Sequence, residues 1–336
     1  MKGFRRSPAA LLVAAFLAGC QSSNEIRLMN ASFDPTRELY EGINTRFAAQ
    51  WKTQTGQDVT LLQSHGGSGK QARAVIDGLE ADVVSLALAY DIDQIGRKGK
   101  LLDTSWADRA PGKSVPFSST IIFLVREGNP LGIRDWADLA RPGVQVVTPN
   151  PLTSGGARWN WLAAWGSARL EGLDSAAAAK RCQAIWANVP VQDAGARAAT
   201  TTFALRGIGD VLITWENEAI LARREIDDQH FEVVYPAISI RAEPPVAVVD
   251  SVCARRGTCE VARAWLSFLW TPEAQAIAAV NHFRPTDSAS FAQHGSAFPA
   301  LRQFTVDSMF GGWKRVQKEH FGDGGIFPAL TQGASK

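Results

Sequence analysis

The sequence predicts an α/β protein of two lobes, each a mainly parallel sheet flanked by helices, with a cleft between them. Three observations carry this. At 336 residues the chain is long enough for two cores of ordinary domain size. Short apolar strand candidates alternate with helical stretches almost throughout, with no internal repeat, low-complexity tract or long linker. Two proline-bearing stretches, near Ser114–Ser119 and Arg241–Pro245, suit chain crossings between lobes. These crossings predict a discontinuous lobe I (26–115 plus 246–330) and a lobe II (116–245).

The strand candidates are Ile26–Met29, Val59–Gln63, Asp82–Leu86, Thr120–Val125, Val144–Val147, Asp210–Thr214, Phe231–Tyr235 and Val246–Val249. Helical periodicity predicts Arg37–Thr53, Gln71–Gly78, Ala157–Arg169, Ala176–Trp186, Asn217–Arg224, Glu260–Leu269 and Pro272–Val280. Trp159, Leu162, Ala163 and Leu170 recur at helical spacing, which assigns most tryptophans to packing.

The first twenty residues stand apart. Lys2, Arg5 and Arg6 precede an apolar run, Ala9 to Leu17, well short of the roughly 20 residues that span a bilayer. Leu17-Ala18-Gly19-Cys20 then resembles the bacterial lipobox, which implies a leader (1–19) cleaved to leave a diacylated Cys20 and a polar tether (20–25). Two or three acyl chains make a stable anchor where one does not. With Lys2, Arg5 and Arg6 set aside, 35 basic residues become 32 against 33 acidic ones. A near-neutral chain carries no electrostatic footprint for nucleic acid.

Cys253 and Cys259 flank Gly257 between a strand pattern and a helix pattern. In an oxidising compartment they are candidates for a small disulfide ring, worth roughly 2 kcal/mol by loop entropy. A zinc site needs two further ligands, and none stands nearby. Cys182 falls in a helical pattern as a small buried hydrophobe.

Four segments share one design, in which a strand ends, a small-residue turn follows and a helix begins. Helix N-termini present unpaired N–H groups and about half a unit of positive charge. Several aimed at one point bind an anion without a cationic side chain. In the first segment, Asn30–Glu38, Asp34 reads as an N-cap with Pro35 at the first helical position. In the second, Ser64–Lys70, glycines permit close backbone approach. A phosphate-binding P-loop is excluded there, because Ser64 and Gln71 occupy its required Gly and Ser/Thr positions. Lys70 breaks a serine-hydrolase elbow around Ser68. In the third, Thr148–Trp159, Ser154 is a natural N-cap followed by Gly155 and Gly156. The fourth, Asp193–Thr200, enters a short helix; the buried strand after it ends at Trp215, whose indole N–H is a donor. Each segment alone is equally compatible with an ordinary capped turn. His65, His230, His282, His294 and His320 show no metal-ligand spacing.

Together SFDPTRELY (Ser32–Tyr40), QSHGGSGKQ (Gln63–Gln71), ADVVSLALAYD (Ala81–Asp91), TPNPLTSGGARWN (Thr148–Asn160), RGIGDVLITWENEA (Arg206–Ala219) and FGGWKRVQKEHF (Phe310–Phe321) resemble the periplasmic sulfate-binding proteins. The resemblance runs from about Ile26 to Phe327 and implies the type II periplasmic-binding-protein fold. It implies a monomeric, non-enzymatic receptor in the periplasm that takes sulfate or thiosulfate to the membrane permease of an ABC importer, with no cofactor or metal. Position by position it implies an oxyanion held by backbone N–H groups of Asp34, Ser68, Gly155, Gly156 and Ala196, by the Ser154 hydroxyl and by the Trp215 indole. Arg158 and Arg197 would steady the loops. Ala194 and Ala198 depart from the Ser and Gly common in the family, and neither removes a direct donor. A sulfate- or phosphate-ester hydrolase and an adhesive lipoprotein are the competing readings.

Overall fold

The computed structural model describes residues 25–225 and 230–332. The expected leader, Cys20 and the tether up to residue 24 lie outside them. The strands, in chain order, are β1 (Ile26–Phe33), β2 (Val59–Gly66), β3 (Val83–Ser85), β4 (Phe117–Arg126), β5 (Val146–Val147), β6 (Val211–Trp215), β7 (Phe231–Val234), β8 (Ile238–Ala242), β9 (Val246–Val248), β10 (Arg284–Pro285) and β11 (Arg302–Phe304). They form two sheets, one ordered β2-β1-β3-β9 and the other β11-β8-β4-β6-β5, with β7 and β10 also paired to β4.

The smaller sheet meets the expectation of parallel pairing, since β2 and β3 both run parallel to β1 and only β9 is reversed. The larger sheet does not. β6, β7 and β8 all run antiparallel to β4. The cause is the crossing: the chain enters this lobe along β4 and leaves along β8, so these two must point in opposite directions. Ser119 pairs with Ala242 where both cross.

A third crossing, absent from the expectation, follows the helix Pro272–Val280, where Arg284 and Pro285 pair with Ser118 and Phe117. The C-terminal segment then joins the larger sheet, with Arg302–Phe304 parallel to Ile238–Ile240. Within the expected segment 246–330, β9 thus belongs to the smaller sheet and β11 to the larger. At the third crossing Arg284 grips Glu216 through two 2.7 Å hydrogen bonds, both side chains buried. Gln275 and Thr286 each donate to the Pro116 carbonyl at 2.7 Å. A doubly bonded buried ion pair is geometrically demanding and suits a fixed pivot.

Each sheet is covered on both faces. Ala72, Val75, Val84, Ile92 and Val249 pack together in the first lobe, and Ile122, Leu124, Phe203 and Leu212 in the second. The largest cluster runs through both lobes and includes Tyr40, Phe117, Trp159, Trp215 and Trp265. Cys182 is fully buried. Cys253 lies inside the helix Asp250–Arg256, which ends at Gly257 with φ 69°. The left-handed turn brings Cys253 to Cys259, joined by a disulfide with Cα atoms 4.7 Å apart. Among the described residues no helix is long and apolar enough to cross a membrane.

Candidate functional site

Four chain reversals meet between the lobes. β1 ends at Phe33, and a short 3₁₀ turn (Asp34–Thr36) feeds directly into the helix Arg37–Thr55. β2 ends at Gly66, and after Gly67 the helix Ser68–Ile76 begins. From the second lobe come the helices Gly155–Leu170 and Ala196–Ala204. The first N–H groups of each have no carbonyl one turn back to bond.

The close approaches locate these ends against one another. A Cβ on Gly155 would stand 2.7 Å from the Ser68 Cβ and 3.1 Å from the Ala87 Cβ, across the lobe boundary. One on Gly156 would stand 3.2 Å from Trp215 Nε1, 3.5 Å from Ser154 Oγ and 3.7 Å from the Ala196 Cβ. One on Gly195 would stand 3.1 Å from Asp34 Oδ2. Asp34, Ser68, Ser154, Gly155, Gly156, Ala196 and Trp215 are thus brought together. Glycine at 155 lets the backbone come this near to the facing lobe, while a side chain at 156 would crowd Trp215 within its own lobe.

Ser154 caps its helix, its Oγ accepting from Ala157 N at 3.3 Å, which leaves its proton to donate elsewhere. Asp34 differs from expectation. Phe33 holds the cap position, and no side chain caps the turn. Asp34 is itself the first residue of the turn, its carboxylate turned toward Gly195 of the other lobe, while Thr36 Oγ1 donates to the Phe33 carbonyl at 2.7 Å. Burial raises the Asp34 pKa, opposed by Arg37, Arg197 and Lys70.

Ser68 offers its amide, because its hydroxyl is already engaged. It donates to Asp91 Oδ2 at 2.5 Å and accepts from Ala87 N at 3.0 Å. Asp91 was not singled out from sequence; it is buried, which pushes its carboxyl pKa up against the opposing charge of Arg158.

Trp215 ends β6, fully buried against Phe33 (5.2 Å between rings) and Trp159 (6.3 Å). Its Nε1 has no hydrogen-bond partner. A buried donor left unpaired costs about 1–3 kcal/mol; Trp51 and Trp186 Nε1 are unpartnered too, and it is the place of this one, beside Gly156 and Ser154 at the lobe boundary, that suits an outside acceptor.

Neither arginine is free to grip an anion. Arg158 donates to the Pro151 carbonyl at 2.9 Å and to Gln317 Oε1 at 2.7 Å. Arg197 bonds Glu218 at 2.9 Å within its lobe and Glu38 at 3.1 Å across the boundary. Burial works against the Arg197 charge, but Glu218 and Glu38 overcome it and hold the guanidinium protonated. The Glu38 partner, 159 residues away, has no local sequence signal. Two further bonds cross the boundary, from Trp159 Nε1 to the Ala87 carbonyl and from Asn217 Nδ2 to the Pro35 carbonyl, each 2.9 Å. The lobes are therefore closed on each other.

His65 bonds Ser32 Oγ through Nδ1 at 2.6 Å, and burial, aided by Arg37, lowers its pKa to about 4. A neutral imidazole there adds no positive charge. Among the described residues no three His, Cys, Asp or Glu side chains are grouped to hold a metal ion.

The family model for bacterial extracellular solute-binding protein matches residues 38–284. The sulfate-binding protein of Escherichia coli (strain K12) is 55% identical over 92% of this chain and 94% of its own. The thiosulfate-binding protein of Pseudomonas aeruginosa is 47% identical over 96% of this chain and 97% of its own. Among solved structures, the sulfate-binding protein SubI from Mycobacterium tuberculosis H37Rv superposes with a TM-score of 0.80 at 33% identity, covering 88% of this chain and all of that one. The periplasmic binding protein AfuA, at 17% identity and a TM-score of 0.61, shares the fold alone. A two-lobed fold closed over converging helix ends and an unpaired indole, with relatives this similar over nearly their whole length, places the chain in the bacterial extracellular solute-binding protein family, among members named for sulfate and thiosulfate.

Proposed function

We propose that this protein captures sulfate, or thiosulfate, between its lobes outside the cytoplasm and presents it to an ABC importer. The observation that carries the reading is the buried, unpartnered Trp215 Nε1, standing beside Gly156, Ser154 and Ala196. The anion is bound by the amides of Asp34, Ser68, Gly155, Gly156 and Ala196, the Ser154 hydroxyl and that indole. Helices of 16, 9 and 9 residues end here, and the Asp34 turn leads into one of 19. Their aligned peptide dipoles offset the dianion without any cationic side chain.

A shell of donors favours sulfate, which is fully ionised at neutral pH. Protonated phosphate brings its own O–H, and leaving that group unpaired costs about 1–3 kcal/mol. Asp34 is the carboxylate placed to relieve this, since it does not cap its turn. Whether it reaches the anion decides the selectivity, and Asp34→Asn separates the two cases. With a donor-only shell, the variant keeps the wild-type preference for sulfate over phosphate.

The test is a thermal-shift panel of sulfate, thiosulfate, molybdate, phosphate and chloride, followed by calorimetry. Ligand present at 100 times its Kd stabilises by about 2.7 kcal/mol. A melting temperature unmoved by both sulfate and thiosulfate refutes the proposal. Lipid attachment at Cys20 belongs to the same reading. It predicts that Cys20→Ala releases the protein from membranes into the soluble extracytoplasmic fraction with its sulfate affinity unchanged.

A further inference from the structure

Asn160 is a polar side chain sealed inside the second lobe, 1% exposed, on the helix Gly155–Leu170. It stands one turn after Gly156, and so shares the helix face on which a Cβ at 156 would meet Trp215 Nε1. Its Nδ2 donates to the Ile213 carbonyl and to Thr148 Oγ1, each at 2.9 Å. Its Oδ1 accepts from no protein donor, so both bonds that hold the side chain run through one nitrogen.

The two acceptors show what those bonds hold. β5 has only two residues, which pair with Val211 and Leu212 of β6. The last three residues of β6, Ile213 to Trp215, therefore have no strand beside them on that edge. Asn160 takes the strand's place at Ile213, two residues before the indole. Thr148 directly follows β5 and opens the loop that carries Ser154. One buried amide thus joins three segments: the strand ending at Trp215, the loop bringing Ser154, and the helix whose first residues are Gly155 and Gly156.

We propose that Asn160 is a positioning residue for the anion: it fixes the Trp215 indole relative to the helix amides, so that donors from separate elements converge on one point, without touching the ligand itself. This deepens the sulfate reading above and rests on it. A donor held in place before the ligand arrives gives up little freedom on binding, whereas a loosely held one loses part of what its hydrogen bond supplies.

The test is a double-mutant cycle on sulfate affinity, read by calorimetry on wild type, Asn160→Leu, Trp215→Phe and the pair. Leucine is close to asparagine in volume and removes both bonds. Asn160→Leu is expected to weaken the Kd about tenfold in the wild-type background. With Trp215→Phe already present it should weaken the Kd by less than about twofold more, because the donor it places is gone. The indole N–H resonance of Trp215, assigned by its loss in Trp215→Phe, should shift on saturation with sulfate in wild type and shift distinctly less in Asn160→Leu. Asn160→Ser, too short to reach both acceptors, carries the same cycle if the buried leucine prevents folding. Equal losses in both backgrounds, or an indole resonance that answers sulfate as in wild type, overturn the positioning role and leave the sulfate reading intact. Asn160 variants that bind as wild type does overturn it as well. A Trp215→Phe protein with unaltered affinity removes the indole as a ligand donor, and this inference with it. A wild-type protein that binds neither sulfate nor thiosulfate refutes the reading on which the inference rests.

Discussion

Replacing Trp215 by Phe isolates the contribution of one N–H group. Within the fold Nε1 bonds no protein acceptor, so its removal breaks no hydrogen bond between protein groups. What remains is the smaller ring's lost packing against Phe33 and Trp159. That loss is well below the cost of truncation to Ala, and amounts to about 1–2 kcal/mol. With sulfate bound, the same change removes a hydrogen bond to a charged acceptor, worth about 1.5–3 kcal/mol. At 1.4 kcal/mol per tenfold, the Kd should weaken by about 10- to 150-fold. Calorimetry at neutral pH gives the affinity, and thermal melting without sulfate gives the control. The signature is a large loss of affinity with a small loss of intrinsic stability. A Trp215→Phe protein binding sulfate as wild type does would refute the indole's role as a ligand donor. A variant losing far more than about 2 kcal/mol without ligand would refute the reading of Nε1 as unpaired.

Gly155→Ala places a methyl group 2.7 Å from the Ser68 Cβ on the facing lobe. Overpacking of this kind costs about 1–3 kcal/mol, so sulfate binding should weaken about 5- to 150-fold. Each lobe keeps its own fold, and small-angle scattering should show less compaction on adding sulfate. Glu38→Gln removes one side of the bridge to Arg197, whose partners are 31% and 36% exposed. An ion pair this exposed contributes at most about 1 kcal/mol, so affinity falls no more than about fivefold. The loss should appear in the dissociation rate and fade at high salt. Finally, His320 is buried, accepts from Trp161 Nε1 at 3.1 Å, and has its pKa lowered by burial from 6.5 to about 4. Between those values the unfolded chain binds the extra proton, so its stabilisation is complete above pH 6.5 and is lost as pH falls toward 4. His320→Gln should flatten the decline of melting temperature over that interval; an unchanged slope would exclude this group as its source.

The misreadings share a cause. Arg302–Phe304 and Arg284–Pro285 are strands of three and two residues, too short for an alternating pattern, and only their partners make them strands. Ile238–Ala242 has a strand-like composition, but it sits between Pro236 and Pro244, and only its last two residues overlap the expected crossing at Arg241–Pro245. Asp34 before a proline has the composition of an N-cap, yet Phe33 holds that position and the carboxylate faces Gly195, 161 positions further along the chain. A local rule cannot weigh a neighbour that far away.

Composition and periodicity by themselves determined the α/β class, seven helices and four turns where a helix begins, although the one at Ala196 follows the helix Ser175–Ala187 and not a strand. These follow from nearest-neighbour stereochemistry: where a side chain points, which residue tolerates a cap, where glycine bares an amide. Tertiary structure alone decided that the four turns face one another, that the indole of Trp215 is buried with no acceptor, and that Glu38 reaches Arg197. Those outcomes depend on two sheets meeting across a pivot. The energies that fix such a meeting are sums over residues hundreds of positions apart.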